Sequence, residues 1–419
     1  MAHIEDRWFR DVRQNDGATH KEKTTRHGAG KRWRVRYLDP EGREHNRSFD
    51  RKIDADRFKV SVEADVQRGV YLDPDAGRLT LRPYAESWLA AQTFGESTRE
   101  RTESRLRLHV YPQLGGRQLA ELARSPSIIQ AWIRGLQAKP VRKAPDTTMA
   151  PGTIGLILTN LTAIMAAAVD DGLISRNPCR TASVRAPKVE GRRIVPWSAE
   201  RVAAVRAGLQ DRYRAMADAG SGLGLRQGEV FGLSPGDVDW LRKNVHVCRQ
   251  VKIIGGRPVF DLPKGGRERD VPLPESVALR LSAHLAAYPA VPLTLPWQKP
   301  GGRPETVPLA FTTRYQGALW RGDWNRISWH TALGSAGVTP CRENGFHALR
   351  HHFASLLLAD GVDIRALAEY LGHADPGFTL RVYCHLMPAS EQRMRQAIDR
   401  VLAGPADGPL TAREMGAVR

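Results

Sequence analysis

The stretch His347–Ser355, HALRHHFAS, places three histidines and one arginine within nine residues. Read as a helix, it puts His347 one turn before both Arg350 and His351, so that these side chains share a face. Such a face can hold a metal ion, contact a nucleic acid or take part in catalysis. It can also be the polar side of an ordinary helix, and only the surrounding sequence separates these possibilities.

A phosphate is the ligand that this face suits best. Two histidines one turn apart can bind zinc, but the usual pattern places a carboxylate beside the first histidine. Here Ala348 and Leu349 follow His347, and the charge of Arg350 would repel a cation. Arginine offers a forked pair of charge-assisted hydrogen bonds to phosphate oxygens, and histidine offers a transferable proton. We therefore expect a phosphate-directed site without a metal.

The composition points to the same class of ligand. The 419-residue chain, long enough for two or three domains, carries a net charge of +18, which attracts polyanions, nucleic acid before an anionic membrane surface. No membrane association is expected, since no apolar run approaches the roughly 20 residues of a transmembrane helix. The charged N-terminus MAHIEDRWFRD is unlike a signal peptide. Four scattered cysteines without a CxxC pair fit a reducing cytosol, so we expect a cytoplasmic, nucleoid-associated protein.

Residues 1–75 predict a small sheet with one helix. In KRWRVRYLD, apolar and basic residues alternate with a period of two, which is typical of a half-buried strand. After the turn DPEG, REHNRSF predicts a second strand, and RKIDADRFKVSVEADVQRG predicts an amphipathic helix. The basic face of the first strand is either solvated or presented to DNA. Its candidate DNA-binding residues are Arg32, Arg34 and Arg36.

Residues 79–178 predict an all-helical bundle, because apolar residues recur every three to four positions in four successive stretches. The second of these is expected to be capped at Ser97, and the last to end at Gly172, before Pro178. A polar, proline-bearing linker is predicted over residues 179–196.

Residues 197–404 predict a mixed, mainly helical domain with a small antiparallel sheet. Glycine-rich turns separate the predicted strands NVHVCRQVKII, RPVFDLPKGG and ERDVPL. YRAMADAGSGLGLRQGEVFGL, HALRHHFASLLLADG and DIRALAEYLGH predict helices, as does SEQRMRQAIDRVLAG at the end. A disordered tail is expected over residues 405–419. The predicted fold class is thus multidomain: a small α+β domain, an all-α bundle and this mainly α domain.

The opening His-x-x-Arg stretch has partners on both sides in the sequence. GLGLRQGEVFGL contains Arg226 and Glu229, LPKGGRERDVPL contains Lys264 at a hairpin turn, and LGHADPGFTLRVYCH contains His373 and Tyr383. Each piece alone is weak, but in this order and on compatible elements they resemble the tyrosine recombinases, the phage-type integrases. The resemblance is to integrases of actinobacterial-type integrative elements. It covers all signature positions and spans the C-terminal half of the chain.

The resemblance implies a site-specific recombinase that integrates or excises a mobile element through a 3′-phosphotyrosyl link. The bundle resembles the family's core-binding domain, and the basic N-terminal sheet resembles its arm-binding domain. The partners implied are double-stranded DNA attachment sites, a tetramer assembled on two of them and, potentially, a directionality factor. No cofactor or metal is implied, in keeping with a sequence that lacks a phosphate-binding P-loop.

The same residues make chemical sense as a site that breaks a phosphodiester. Attack on phosphorus adds negative charge to the non-bridging oxygens, and Arg226 and Arg350 can stabilise that charge. A tyrosine has a free pKa near 10 and is a poor nucleophile while protonated. Cations around Tyr383 are expected to lower its pKa, and His347 is the expected proton acceptor.

Three further residues complete the expected site. His373 can donate a hydrogen bond to the phosphate, and Lys264 can protonate the leaving 5′ oxygen. Glu229, one turn after Arg226, either orients that arginine or forms a plain surface ion pair. The register of Lys264 is open, because other basic residues occupy the same hairpin: Arg257, Arg267 and Arg269.

Two other classes of protein are alternative interpretations of this sequence. A type IB topoisomerase uses similar chemistry on one duplex, although the three-part architecture and short spacings favour the recombinase. A non-catalytic DNA-binding relative is disfavoured by the complete set of catalytic positions. His351 and His352 are interpreted as structural or DNA-flanking residues.

Overall fold

The computed structural model describes residues 2–13, 19–40, 42–68, 71, 76–141, 144–189 and 194–383, with four isolated positions between 395 and 402. The chain divides into two compact units, residues 1–94 with 98–190 and residues 95–97 with 191–419. The predicted last helix and tail lie outside the described residues, apart from those isolated positions. The predicted fold class is confirmed.

The N-terminal region contains a three-stranded antiparallel sheet with a helix packed on it. Its elements are β1 His3–Asp6, β2 Phe9–Arg13, β3 Thr19–Lys23, β4 Trp33–Leu38, β5 Glu44–Phe49 and α1 Lys52–Gln67. The sheet order is β1-β4-β5, while β2 and β3 form a separate hairpin that was not predicted. Val35 and Tyr37 of β4 are buried with Val62 of α1, as the alternation of β4 requires. The two predicted strands and the helix are confirmed.

The next region is a helical bundle. Its elements are α2 Leu81–Ala91, α3 Glu96–Arg105, α4 Tyr111–Leu114, α5 Leu119–Arg124, α6 Pro126–Ala138, the strands β6 Pro140–Val141 and β7 Ala144–Thr148, and α7 Pro151–Asp170. The predicted cap at Ser97 is wrong, because α3 already begins at Glu96. The predicted end of α7 is confirmed by Gly172, whose φ of +69° is rare for residues with a side chain. Cys179 and Val184 are buried in the bundle core, so the predicted linker starts within this packing.

Helix α7 is long and apolar enough to cross a membrane, judged by length and composition alone. The expectation that no apolar run reaches this length is therefore wrong. Its apolar character has an explanation inside the bundle, where Ile154, Ile157, Leu161 and Ile164 are fully buried. Their spacing of three and four residues places them on one face of the helix, against the other helices of the bundle.

The second unit is mainly helical, with short antiparallel strand pairs. Its first half comprises α8 Ala199–Gly208, α9 Asp211–Gly222, α10 Gln227–Phe231, β8 Val238–Asp239, β9 Asn244–Val247, β10 Gln250–Ile254, β11 Arg257–Asp261, β12 Arg269–Pro272 and α11 Glu275–Ala287. The strands form a sheet of order β12-β9-β8 and a hairpin β10-β11. One predicted strand is thus divided into β9 and β10, which belong to different sheets.

The second half begins with a hairpin that was not predicted and continues with helices. Its elements are β13 Val291–Pro296, β14 Pro304–Leu309, α12 Arg321–Trp324, α13 His330–Ser335, α14 His347–Ala359, α15 Ile364–Leu371 and α16 Pro376–Tyr383. The opening stretch lies on α14, and its predicted helix is confirmed. The buried stripe of α14 contains Leu349, Phe353 and Leu358, and with them the charged Arg350. A core position of the domain is therefore occupied by a cation.

A break between α9 and α10 makes room for that cation. The sequence predicted one helical stretch here, and this is wrong, because Gly224 adopts the left-handed conformation at φ +62° and ends the helical path. Phe353 of α14 packs directly on this turn: a Cβ atom built on Gly224 would lie 2.5 Å from Phe353 Cδ1. The position therefore requires glycine both for its backbone and for its contact.

We expect Gly224→Ala to destabilise the second unit by about 2–5 kcal/mol, from about 1–2 for the left-handed alanine and about 1–3 for the overpacked side chain. The matched control is Gly337→Ala, since Gly337 has a similar φ of +68° but open space at its Cβ. Thermal melts of both variants check this. Equal losses would show that the contact with Phe353 adds nothing.

Candidate active site

Arg350 is a deeply buried charged group at the centre of the site, with 1% of its surface exposed. Its Nη1 donates to the carbonyl oxygen of Gly224 at 2.7 Å, and its Nη2 donates to the carbonyl oxygen of Leu371. The same Nη2 lies 3.1 Å from Nε2 of His373. Burial, and next the positive charge of Arg226, lower the pKa of the Arg350 guanidinium. One side chain thus holds together the α9–α10 break and the turn that follows α15.

Arg226 stands beside it and is fixed by an acid. The backbone N–H of Arg226 donates to Glu229 Oε2 at 2.9 Å, and Nη1 donates to Glu229 Oε1 at 2.8 Å. The carboxylate of Glu229 is fully buried and also receives two bonds from Arg269, at 3.1 and 2.7 Å. Burial raises the pKa of Glu229, but the hydrogen bonds and charges of Arg269 and Arg226 bring it down to about 2. Glu229 is therefore ionised and orients Arg226, which excludes the plain surface ion pair.

His373 is held in one orientation. Its Nδ1 lies 2.7 Å from the hydroxyl of the buried Thr379, and its Nε2 lies 3.1 Å from the guanidinium of Arg350. Arginine can only donate, so Nε2 is the acceptor and Nδ1 carries the proton. Burial, and then the charges of Arg350 and Arg226, lower the pKa of His373 to about 4. The expected donation from His373 to a phosphate requires that Nε2 first gain a proton.

Tyr383 ends α16 inside the domain, with 1% of its surface exposed. Its hydroxyl lies 2.8 Å from Nδ1 of His351. Burial raises the pKa of Tyr383 to about 12, and the opposing effects of Arg350 and Arg226 do not overcome it. The expectation that the surrounding cations leave Tyr383 with a lowered pKa is therefore wrong, because desolvation of the phenolate outweighs them.

His351, and not His347, is the histidine that contacts the phenol. The expected proton acceptor His347 meets the His351 ring edge-on, with the ring centroids 4.6 Å apart. Burial, and next the charge of Arg350, lower the pKa of His351 to about 4, so its Nδ1 is free to accept. The sequence interpreted His351 as structural or DNA-flanking, and this hydrogen bond to the phenol is a contact that it did not predict. Its position directly after Arg350 was the only signal in the sequence.

Lys264 lies at the exposed turn after β11, next to Gly265 and Gly266, both with positive φ. Its charge is one of those that lower the pKa of His373, so it reaches the site electrostatically. The alternative Arg269 is excluded from the lysine's place by its burial against Glu229. The alternation of β12 contained the signal for this, since Arg269 shares a face with the buried Val271.

The three N-terminal arginines all face carboxylates. Arg32 bonds Asp6 at 2.8 Å and covers the ring of Trp33. Arg34 lies 3.8 Å from Glu5, and Arg36 lies 3.5 Å from the same acid. These pairs offset the charges that were expected to meet DNA, and the DNA-binding role of this strand stays a prediction.

Among the residues that the structure describes, no group of three or more histidine, cysteine, aspartate or glutamate side chains is arranged to hold a metal ion. The arrangement instead gathers arginines around a phenol and a small number of neutral imidazoles. Such a site has the groups needed to bind a phosphate and to supply a tyrosine hydroxyl as nucleophile, as in the class of enzymes that cleave and rejoin DNA strands through tyrosine.

The comparisons agree with this class. The model of the phage integrase family matches residues 199–390, and that of the phage integrase N-terminal SAM-like domain matches residues 80–137. A XerC-like tyrosine recombinase of Caldanaerobacter subterraneus is 30% identical over 53% of this chain, which spans 59% of that relative. The integrase of Mycobacterium phage L5 is 26% identical over 84% of this chain and 90% of its own length.

Two solved structures share the fold. The Tn1549 transposon integrase in complex with a circular intermediate DNA has a TM-score of 0.63 at 19% identity, covering 77% of this chain and 99% of that one. A lambda integrase tetramer bound to a Holliday junction has a TM-score of 0.52 at 17% identity, covering 82% and 93%. The chain belongs to the phage integrase family, the tyrosine recombinases, and is a site-specific recombinase.

The lowered histidine pKa values predict an acid-sensitive fold. His351 and His373 have a pKa of about 4 when folded, whereas an unfolded chain titrates them near 6.5. Unfolding therefore takes up protons below pH 6.5. The stability that these neutral histidines contribute is complete above pH 6.5 and is lost as the pH falls towards 4, by at most about 1.4 kcal/mol per pH unit for each histidine.

Thermal melts between pH 7.5 and 4.5 check this, with His351→Asn and His373→Asn expected to flatten the pH dependence. His246→Asn is the control of opposite sign, because the hydrogen bond that His246 donates to Asp270 raises the pKa of His246, and the stability that this bond contributes is lost as the pH rises. An unchanged slope in both site variants would contradict the neutral, buried state of these rings.

Proposed function

We propose that Tyr383 attacks a DNA phosphodiester and forms a 3′-phosphotyrosyl bond, releasing a 5′ hydroxyl that later reverses the reaction on the same or another strand. One observation carries the proposal: the Tyr383 hydroxyl is hydrogen-bonded to a neutral histidine directly after the buried Arg350. The bond to phosphorus formed in the first step is the one broken in the second. No external energy source is needed.

The charges of the site favour a phosphate. Arg226, Arg269 and Arg350 stand against one buried carboxylate, Glu229, so the cluster has a surplus of positive charge. A phosphodiester supplies the missing negative charge. In the transition state more negative charge develops on its non-bridging oxygens, so the arginines stabilise the transition state more than the bound substrate. Arg226 and Arg350 are the two residues assigned to those oxygens. Both guanidiniums are already oriented by carbonyl oxygens of the turn after α15.

The proton of Tyr383 is assigned to His351. With a pKa of about 12 for the phenol and about 4 for the imidazole, complete transfer before attack is strongly unfavourable. The proton therefore leaves as the oxygen–phosphorus bond forms. A phosphate bound at Arg350 helps, since its negative charge offsets the cation that depresses the pKa of His351.

The remaining residues are assigned to the phosphate and the leaving group. His347 is solvent-accessible at the N-terminus of α14, where it can face a non-bridging oxygen. His373 donates to the phosphate once its Nε2 is protonated. Lys264, at the exposed glycine turn, delivers a proton to the leaving 5′ oxygen.

The substrates and partners follow from the family and the charge. We assign double-stranded attachment sites of a mobile element as substrate, supported by the +18 net charge and by related integrases whose structures contain DNA. A tetramer on two sites is proposed by analogy with the lambda integrase tetramer on a Holliday junction. The bundle is assigned to the core site, the N-terminal region to arm-type sites, and the reaction to the cytoplasm. A directionality factor stays a prediction.

Tyr383→Phe should abolish cleavage and leave DNA binding nearly unchanged, because the hydroxyl forms the bond while many phosphate contacts carry the binding. The assay uses a suicide substrate nicked near the crossover position of the attachment core, resolved on a denaturing gel. A covalent protein–DNA band formed by the phenylalanine variant would refute the assignment of Tyr383.

His351→Ala should lower single-turnover cleavage about 10²–10⁴-fold, the usual contribution of a positioned proton acceptor. The matched variant His347→Ala, one turn earlier on α14, keeps the proton acceptor and should be the more active of the two. The rate of His351→Ala should also rise with pH more steeply than that of wild type, since solvent hydroxide replaces the lost base. A larger defect in His347→Ala, without that pH response in His351→Ala, would return the role to His347.

A further inference from the structure

We propose that Arg269 is a positioning residue for phosphate binding: it sets the guanidinium of Arg226 by holding Glu229 from the opposite side. The inference rests on the proposed function, because it assigns Arg226 to the non-bridging oxygens. Arg269 itself does not reach the reacting atoms. It acts from behind the site.

The contacts of Arg269 connect three separate elements. From the start of β12, Nη1 and Nη2 donate to the two oxygens of Glu229 at 3.1 and 2.7 Å. Its Nε donates to the carbonyl oxygen of Tyr370, near the end of α15, at 2.7 Å. Glu229 in turn bonds both the backbone and the side chain of Arg226. Arg226 is therefore fixed relative to β12 and α15 through a single carboxylate.

The pair is buried deeply enough for its geometry to matter. The Arg269 side chain is 4% exposed and that of Glu229 is fully buried, so water cannot replace either partner. Gly372 lies against Arg269: a Cβ built there would be 3.0 Å from Arg269 Cδ and 3.1 Å from its Nη1. The glycine before His373 therefore leaves space for the guanidinium, which links the hairpin sequence RERDVPL to the downstream LGH.

Lysine cannot make the same set of bonds. A guanidinium offers donors in a fixed fork, so Arg269 can meet both oxygens of Glu229 and still donate to Tyr370. An ammonium group is a point charge that can meet one oxygen closely. Arg269→Lys thus keeps the charge and removes the geometry, and Arg226 loses its fixed orientation.

The test is single-turnover cleavage of suicide substrates that differ only at the scissile phosphate. On the normal phosphodiester, Arg269→Lys should lose about 10²-fold, the usual effect of misplacing a reacting group by about 1 Å. On a methylphosphonate, which lacks the charge that Arg226 offsets, the loss should shrink to about tenfold or less, as should that of Arg226→Lys. The matched control Arg267→Lys, on the exposed part of the same hairpin, should stay within about threefold on both substrates.

A second substrate separates an effect of Arg269 on phosphate binding from an effect on proton donation by Lys264. A 5′-bridging sulfur leaves as a thiolate, because a thiol is far more acidic than an alcohol, and it does not need the lysine's proton. This substrate should restore the cleavage rate of Lys264→Ala and leave that of Arg269→Lys low. Restoration of Arg269→Lys by sulfur, or an equal loss on phosphodiester and methylphosphonate, would overturn the proposal.

Thermal melts and a second variant test whether the loss of cleavage is due to misfolding. The double change Arg269→Met with Glu229→Gln removes both charges and leaves neither one buried alone, so it should fold even if Arg269→Lys does not. It should show the same selective recovery on methylphosphonate, and absence of that recovery would contradict the proposal. Failure of the proposed function would look different: Tyr383→Phe would then still cleave, whatever Arg269 does.

Discussion

The buried guanidinium of Arg350 is the constraint on which the rest of the catalytic site depends. Moving a cation from water into a protein core costs on the order of several kcal/mol, and only well-placed acceptors offset that cost. Here they are the carbonyl oxygens of Gly224 and Leu371, each available because the helical path stops nearby. The breaks that look like irregularities in the helices are therefore what bring Arg226 and His373 to the same place.

Around this centre the charges are arranged in two layers. The inner layer, Arg350 with Arg226, carries the surplus positive charge and is the one proposed to face the phosphate. Behind this layer, Glu229 and Arg269 form a buried ion pair that adds no net charge. We propose that this pair orients the guanidinium of Arg226. Tyr383 is sheltered beside them with its proton on the phenol, because its pKa is raised to about 12. In the proposed mechanism, Tyr383 therefore stays unreactive until a bound phosphate and a proton acceptor act on it together.

The sequence was sufficient for most helices and for the strands β4, β5 and β9 to β12, because these depend on local periodicity and on turn residues. The hairpins β2-β3, β6-β7 and β13-β14 were not predicted. The sequence was insufficient where tertiary packing decides. The break at Gly224 was missed because the flanking residues have helical spacing, and the side chain that packs on this turn, Phe353, is over a hundred positions away. The contact between His351 and Tyr383 was not predicted, because the two residues meet only through the fold. The sign of the tyrosine pKa shift depends on burial, which no spacing of cations reveals.

Mapping the covalent adduct by mass spectrometry tests the central claim most directly. Wild-type protein is trapped on a nicked attachment core, the DNA is removed by nuclease, and the tryptic peptides are sequenced. The account predicts a 3′-linked nucleotide on the peptide that follows Arg381, VYCHLMPASEQR, with the modification on its tyrosine. A nucleotide on any other residue, such as Tyr370 on the neighbouring helix, or cleavage without a protein-linked nucleotide, would contradict it.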